Sequence, residues 1–162
     1  MPFSQPRKPS TRQARARLNE TPMSDDTSEG RKALAAVQAA WNSAGKDWNP
    51  EALTAVYTAD ALFFGGRPGH SVGANPIREY FASYVGVIES GSMELVDQQI
   101  ARLAAECFLA QGYGEFSFLL AGNQSTRSRL RTTFVIVMQE GRWKIRQHHV
   151  SASPSAPPLN ES

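Results

Sequence analysis

From Ser92 onward, apolar side chains recur at every second position, and short breaks at residues 104–106, 121–124 and 139–141 interrupt this pattern. A period of two is typical of half-buried β-strands. Short breaks that hold glycine or polar residues suit the turns between antiparallel neighbours. The sequence therefore predicts four long strands that follow one another in an antiparallel meander.

Three predicted helices precede the meander. Each repeats apolar residues at helical spacing: Leu34, Val37 and Trp41 in the first, Leu53, Val56 and Tyr57 in the second, and Ile77, Tyr80, Phe81, Tyr84 and Ile88 in the third. Acidic residues around position 25 suit the start of the first helix, and Asn49-Pro50 and Asn75-Pro76 start the other two. A short strand over residues 61–64 and a glycine-rich loop lie between the second and third helices. This order, with helices first and strands last, favours the α+β class.

Composition predicts one domain with two tails. Hydrophobic residues make up 41% of the 162 residues, which suffices for a core, and no apolar run approaches the roughly 18 residues of a membrane-spanning helix. We expect the domain to cover residues 29–153. Residues 1–28 should be disordered and residues 154–162 flexible, since both are poor in aliphatic side chains. The expected location is cytoplasmic.

The Arg-rich start has two open interpretations. Residues 7–17 carry five basic side chains and no secretory apolar segment. An organelle transit peptide is one interpretation. The other is that translation starts at Met23 and that the first 22 residues are an extension.

Several function classes are disfavoured by the residues present. Cys107 is the single cysteine, and no Cys/His cluster has the spacing of a metal site. No glycine-rich phosphate loop appears, so we expect no cofactor. The net charge of +2 is concentrated before residue 23, which argues against nucleic-acid binding, and no membrane partner is expected.

Short motifs spread along the chain resemble those of a known family. Ala40-Trp41-Asn42, Asp60-Ala61 and the glycine-rich loop are similar to SnoaL-like proteins of the nuclear-transport-factor-2-like superfamily, some of which are ketosteroid isomerase-like. The ending, Gly141-Arg142-Trp143-Lys144-Ile145 followed by His149, resembles the branch of calcium/calmodulin-dependent kinase association domains and SgcJ/EcaC-type proteins. Gln147 departs from that branch, which often has another histidine there.

The resemblance implies a cone-shaped, cystatin-like α+β fold, in which three N-terminal helices pack on the concave face of a curved antiparallel sheet and close a small-molecule pocket. It does not imply one reaction, because related folds carry different functions. We expect a protein that binds a small hydrophobic molecule bearing a carbonyl or carboxylate. If it is an enzyme, isomerisation or another proton transfer without a cofactor is the expected chemistry. The alternative is a non-catalytic oligomerisation or ligand-sensing domain of the kinase association type.

The last hairpin predicts the site. A three-residue loop over residues 139–141 would close it and set Arg131 opposite His149 and Thr133 opposite Gln147. A two-residue loop would instead separate Arg131 and His149 onto opposite faces. In the first register Arg131 would hold a carboxylate or enolate oxygen, His149 would transfer a proton, and Gln147 and Thr133 would orient the ligand.

Aromatic residues complete the predicted pocket. The candidates for ligand contact are Trp41, Tyr57, Phe64, Tyr80 and Tyr113. No carboxylate stands out as a general base, and His148 should face solvent or an interface. The same register turns Leu130, Phe134, Ile136 and Met138 outward, which predicts a homodimer through the outer face of the sheet.

Overall fold

The computed structural model of the protein describes residues 23–159, with side chains from residue 27. This part of the chain forms three α-helices and six β-strands. The helices are α1 (Met23–Gly45), α2 (Pro50–Ala55) and α3 (Ala74–Ala82). The strands are β1 (Tyr57–Phe64), β2 (Ser71–Val72), β3 (Ile88–Ala104), β4 (Cys107–Leu120), β5 (Gln124–Gln139) and β6 (Arg142–Ser151).

The six strands form one curved sheet in the order β2-β1-β6-β5-β4-β3. Strands β3 to β6 are joined as consecutive antiparallel neighbours, so the predicted meander is confirmed. The sheet is not wholly antiparallel, because β1 pairs with β6 in the parallel sense. The parallel pair arises because α3 and the meander intervene in the chain, which lets β6 return beside β1 in the same direction.

Helix α1 lies along β3, one of the two edge strands of the sheet. The Asn42 side chain donates to the Met93 carbonyl at 2.9 Å and accepts from the Met93 N–H at 2.8 Å. Gln38 Oε1 accepts from the Leu95 N–H at 2.8 Å. An edge strand leaves backbone groups unpaired, and these two amide side chains satisfy several of them. The helix is thereby fixed in position over the sheet.

The helix boundaries agree only partly with the sequence pattern. Asn49 caps α2 as predicted, since its Oδ1 accepts from the Ala52 N–H at 3.0 Å. Helix α3 begins after Gly73 without a side-chain cap and ends at Ala82, so Ile88 opens β3 instead of ending the helix. The helical spacing continued past the helix because Tyr84 and Ile88 pack into the same core.

A bend in β3 contributes to the curvature of the sheet. Asp97 has a positive φ of 53°, and the pairing with β4 shifts between Val96 and Gln99. Gly112 on β4 faces this bulge, and a Cβ added there would lie 2.6 Å from the Asp97 carbonyl oxygen. Only glycine permits this approach. A bulge of this kind increases the local twist and bends the strand.

The turn between β5 and β6 differs from our prediction. Glu140 and Gly141 have φ values of 52° and 74°, and Gln139 pairs with Arg142. Positive φ at both central residues defines a two-residue type I′ turn. A glutamate in the left-handed region is uncommon, which is why the sequence favoured a three-residue loop with only Gly141 left-handed.

A β-bulge in β6 then returns Arg131 and His149 to the same face of the sheet, as the sequence predicted. The pairing passes from Ile136–Ile145 to Val135–Gln147, which leaves Arg146 as the extra residue of β6. Beyond the bulge Phe134 pairs with His148, and Thr133 pairs with His149. Arg131 pairs with Ser151, so the predicted pairs of Arg131 with His149 and of Thr133 with Gln147 are wrong.

The face that we expected to be outward is the core face. Phe134 and Ile136 are completely buried, where they pack with Ile145 on β6 and with apolar residues of α1 such as Val37. The apolar stripe that suggested a homodimer interface is therefore not available to a partner. The homodimer itself stays a prediction, which light scattering at micromolar concentration tests.

The two ends of the described chain differ in structure. Helix α1 begins at Met23, so residues 23–28 are helical where the sequence predicted a tail. The rest of that tail, with its Arg-rich stretch, lies outside the described residues. Residues 152–159 form no helix or strand and are exposed. None of the helices between residues 23 and 159 is long and apolar enough to cross a membrane.

Candidate functional site

A cavity of about 260 Å³ lies between the helices and the sheet. Its walls come from α1, the α1–α2 loop, β1, α3 and the four long strands, and they are mostly aromatic and aliphatic. The lining residues are Trp41, Trp48, Tyr57, Phe63, Gly65, Gly66, Tyr80, Phe81, Tyr84, Val87, Ile88, Phe116, Phe118, Leu120, Leu130, His148 and Val150.

Trp48 stiffens one wall of the cavity. Its indole N–H donates to the Phe81 carbonyl at 3.1 Å, and its ring meets Trp41, Phe81 and Phe118 edge-on at centroid distances of 5.9 to 6.2 Å. Edge-to-face contacts of this kind add to the free energy gained by burial. The wall is therefore a packed aromatic surface.

Two buried polar side chains interrupt the apolar lining. The Tyr57 hydroxyl lies 2.9 Å from Nδ1 of His148, and both residues are 2% exposed. Tyr57 opens β1, and His148 lies on β6 just beyond the bulge at Arg146. Without that extra residue, Gln147 would occupy the inward position beside Phe134. The bulge thus places the imidazole in the cavity.

Burial keeps both members of this pair neutral. It lowers the pKa of His148 from 6.5 to about 3, because the imidazolium form would lose its hydration, and the neighbouring His149 acts in the same direction. Burial likewise raises the pKa of the Tyr57 hydroxyl well above its usual value. At neutral pH the pair is therefore a phenol and an uncharged imidazole.

The surroundings of Tyr57 direct its proton to His148. The Trp41 indole N–H is near the Tyr57 oxygen and partly opposes the rise in its pKa, although its geometry falls short of a regular hydrogen bond. Trp41 can only donate, so the phenol proton is left for Nδ1 of His148. The other ring nitrogen then carries the hydrogen. His148 Nε2 is buried and has no hydrogen-bond partner within the described chain.

The mouth of the cavity lies under the glycine-rich loop. The Gly66 N–H donates to the Tyr80 hydroxyl at 2.9 Å. A Cβ on Gly65 would lie 2.4 Å from Tyr80 Cζ, so a larger residue there would displace the Tyr80 ring. Val87, another lining residue, is half-exposed. The loop therefore forms one edge of the entrance.

A sequence comparison agrees with this architecture, which is a six-stranded curved sheet with helices over one face and an apolar cavity. Residues 34–155 match the family model of the SnoaL-like domain. The chain belongs to the SnoaL-like family. This family is part of the nuclear-transport-factor-2-like superfamily, as the resemblance predicted. No curated protein matches the sequence of this SnoaL-like chain.

Solved structures share the fold at low sequence identity. A protein from Xanthomonas campestris, described as a calcium/calmodulin-dependent protein kinase II association domain, is 22% identical with a TM-score of 0.67, over 76% of this chain and 87% of that one. A ketosteroid isomerase-like protein from Erwinia carotovora atroseptica is 18% identical with a TM-score of 0.61, over 82% and 100%.

A third relative is the hexachlorocyclohexane dehydrochlorinase LinA-type3 from Novosphingobium barchaimii LL02. It is 15% identical with a TM-score of 0.62, over 84% of this SnoaL-like chain and 94% of that one. At these identities the likeness establishes the fold alone.

Three of the predicted ligand-contacting residues line the cavity of this SnoaL-like domain: Trp41, Tyr57 and Tyr80. Phe64 does not, because it alternates with the inward Phe63 along β1 and stacks on His70 outside at a centroid distance of 4.2 Å. The sequence did not show which of the adjacent residues Phe63 and Phe64 faces the cavity.

Arg131 and His149 do not face the cavity. They share a face, as we predicted, but it is the outer face of the sheet. They lie there with Thr133 and Tyr113 in an open depression, where Arg131 Nε donates to Ser151 Oγ at 3.2 Å. Gln147 also lies away from the cavity lining. A catalytic role for Arg131 and His149 stays a prediction.

The sequence missed His148, which we placed in solvent or at an interface. The signal was present in the larger apolar side chains of β5, since Phe134 and Ile136 alternate with the smaller Val135 and Val137. The larger set marks the core face, and the residue opposite Phe134 must then point inward. The bulge at Arg146 hid which residue that is.

Carboxylates are absent from the lining of the cavity within the described residues. Three acids of the strands form ion pairs outside the cavity: Asp97 with Arg129 at 2.7 Å, Asp60 with Arg146 at 3.3 Å, and Glu115 with Arg127. Between residues 27 and 159 no group of His, Cys, Asp and Glu side chains could hold a metal ion.

Proposed function

We propose that the cavity binds a small hydrophobic molecule whose carbonyl oxygen accepts a hydrogen bond from His148 Nε2. The observation that carries this proposal is a buried polar atom without a partner, on a residue that lines a mostly apolar cavity. Leaving such a group unpaired costs about 1 to 3 kcal/mol, so a ligand that supplies an acceptor recovers that energy.

The size and lining of the cavity favour a compact, ring-bearing ligand. A volume of about 260 Å³ with aromatic walls suits a flat molecule of one or two fused rings. The names of two structural neighbours, a ketosteroid isomerase-like protein and a hexachlorocyclohexane dehydrochlorinase, also support a small hydrophobic ligand.

His148 suits the role of a hydrogen-bond donor better than that of a base. A pKa of about 3 makes the imidazole a weak proton acceptor at neutral pH. Its N–H, supported through Nδ1 by the Tyr57 hydroxyl, would polarise a carbonyl and stabilise negative charge on that oxygen. Removal of a proton next to the carbonyl by hydroxide or a base from solvent, with His148 stabilising the enolate oxygen, is therefore the chemistry that we propose for an enzyme of this kind.

The second candidate is a non-catalytic ligand-sensing or oligomerisation domain of the kinase association type. The lack of a carboxylate in the described cavity lining favours it, since no strong general base lies beside the ligand. Both candidates share the same hydrogen bond, and they differ only in whether a proton leaves the ligand.

Binding of 2-acetylnaphthalene, followed by its fluorescence and by calorimetry, tests the proposal. His148→Phe keeps an aromatic ring against Phe134 but removes Nε2, and it should weaken binding about tenfold. His70→Phe is the matched control, because His70 stacks on Phe64 outside the cavity, and it should bind as the unmodified chain does. Equal affinity of all three proteins would contradict the role of His148.

Proton exchange separates the two candidates. In D₂O, an enzyme of the proposed kind should exchange the methyl protons of 2-acetylnaphthalene for deuterium faster than buffer does, and His148→Phe should lose that acceleration. NMR follows the loss of the methyl signal. Tight binding without accelerated exchange would support the ligand-sensing domain.

A further inference from the structure

Arg67 places a positive charge at the mouth of the cavity. It lies on the loop between β1 and β2, and its guanidinium carbon is 4.2 Å from the centroid of the Tyr84 ring, which lines the cavity. Its Nη2 donates to the Ser83 carbonyl at 3.2 Å. These two contacts hold the guanidinium group at the rim beside the ring.

Arg67 differs from most other arginines of the described chain in its ion pairing. Five other arginines form ion pairs with carboxylates: Arg78 with Glu51, Arg102 with Glu29, Arg127 with Glu115, Arg129 with Asp97, and Arg146 with Asp60. Arg67 has no carboxylate partner in the described part of the chain. Its Nη2 donates to a carbonyl, which leaves other guanidinium N–H groups for an anion.

The interior of the cavity has no place for a charged group. No Asp, Glu, Lys or Arg is among its described lining residues, and its two buried polar side chains are neutral at physiological pH. Moving an unpaired carboxylate into such surroundings is strongly unfavourable. A ligand that carries both an apolar ring and a carboxylate must therefore keep the carboxylate at the mouth.

We propose that Arg67 is a specificity residue that selects ligands with a carboxylate at the end opposite to the carbonyl. The ring would fill the cavity, the carbonyl oxygen would reach His148, and the carboxylate would pair with Arg67 at the rim. This inference rests on the proposed function of the cavity. The planar guanidinium group suits a carboxylate because it donates two parallel hydrogen bonds.

The effect should be moderate and sensitive to salt. Arg67 is exposed, so water and ions screen its charge. Exposed ion pairs contribute up to about 1 kcal/mol, which corresponds to about fivefold in affinity. The stacking on Tyr84 reduces the entropy lost when the ligand arrives, because the side chain is already held in place.

Two matched probes test the inference: 2-acetylnaphthalene and 6-acetyl-2-naphthoate, which adds a carboxylate at the far end of the ring system. The unmodified chain should bind the carboxylate about fivefold more tightly at low salt. Arg67→Gln should abolish this preference while leaving the affinity for the neutral probe unchanged. Arg67→Glu should reverse the preference.

Arg142→Gln is the matched control. Arg142 is another exposed arginine without a carboxylate partner in the described chain, but it lies at the start of β6, away from the residues that line the cavity. Its removal changes the net charge by the same amount as Arg67→Gln and should leave the preference intact. Circular dichroism confirms that each variant is folded before affinities are compared.

The measured affinities test the specificity role of Arg67 separately from the proposed function of the cavity. A preference that Arg67→Gln removes and Arg142→Gln keeps supports the specificity role. Equal affinity for the two probes, or a preference that survives Arg67→Gln, overturns that role and leaves the proposed function intact. Failure of the unmodified chain to bind either probe contradicts the proposed function, and the specificity role fails with it.

Discussion

The Tyr57 hydroxyl lies 2.9 Å from Nδ1 of His148 inside the core, across 91 positions of sequence. Tyr57→Phe and His148→Phe should each lower the free energy of unfolding by about 1 to 3 kcal/mol, because each leaves one buried partner without its hydrogen bond. The double variant should cost less than the sum, since no unpaired partner remains. Urea denaturation measures all four proteins, and additive losses would contradict the coupling.

The buried imidazole should make stability depend on pH. The pKa of His148 is about 3 in the folded chain and near 6.5 when unfolded, so the unfolded state takes up the proton first as the pH falls. The free energy of unfolding should therefore be fully maintained above about pH 6.5. It should fall below that by up to about 1.4 kcal/mol per pH unit, until about pH 3.

Denaturation at several pH values measures this slope. His148→Phe should flatten it between about pH 4 and 6, whereas His149→Phe should retain most of it, because the buried imidazole of His148 is still present. A slope that is the same in both variants would show that other groups cause the loss of stability in acid.

The inward position of Phe134 gives a sharp test of register. Phe134 is completely buried, while its neighbour Val135 points to the outer face and is partly exposed. Phe134→Glu should give unfolded or insoluble protein, because an unpaired carboxylate would enter the core. Val135→Glu should fold and melt cooperatively. The reverse result, followed by thermal melting and solubility, would support the register that the sequence suggested.

A substitution at Glu140, in the turn between β5 and β6, should increase the stability of the protein. Glu140 adopts a positive φ of 52°, which costs a side-chain-bearing residue about 1 to 2 kcal/mol but is easier for Asn. Glu140→Asn should raise the free energy of unfolding by up to about 1 kcal/mol, and Gly141→Ala should lower it by about 1 kcal/mol. Chemical denaturation compares the two, and a loss of stability in Glu140→Asn would argue against the type I′ turn.

The hydrophobic pattern was sufficient for the class and order of the elements. Period-two alternation after Ser92 and the breaks at residues 104–106, 121–124 and 139–141 led to the four strands of the meander. The pattern was weaker at the third helix, where Tyr84 and Ile88 kept helical spacing beyond the end of the helix. Packing into a common core, not helical structure, explains that spacing.

For the candidate site, the sequence identified Trp41, Tyr57 and Tyr80, because large aromatic residues at helical spacing usually face the core. The prediction of Tyr57 on the second helix is wrong, since that helix ends at Ala55 and Tyr57 opens β1. The sequence did not identify His148. Which of two adjacent histidines points inward depends on a single extra residue, Arg146, and on whether the turn holds two residues or three. Each of these choices reverses the faces of β6 relative to β5.

The sequence by itself determined the α+β class, the helices, the meander and the aromatic character of the core, since these follow from composition and local periodicity. Only the tertiary structure decided which face of the last hairpin is buried, that Tyr57 meets His148, and that Arg67 stands at the mouth. Those relations depend on the pairing of β1 with β6 and on the bulge at Arg146, which involve residues far apart in the chain. A shift of one residue in register hardly changes how well the local sequence suits a strand. It nevertheless decides which of two adjacent histidines is buried.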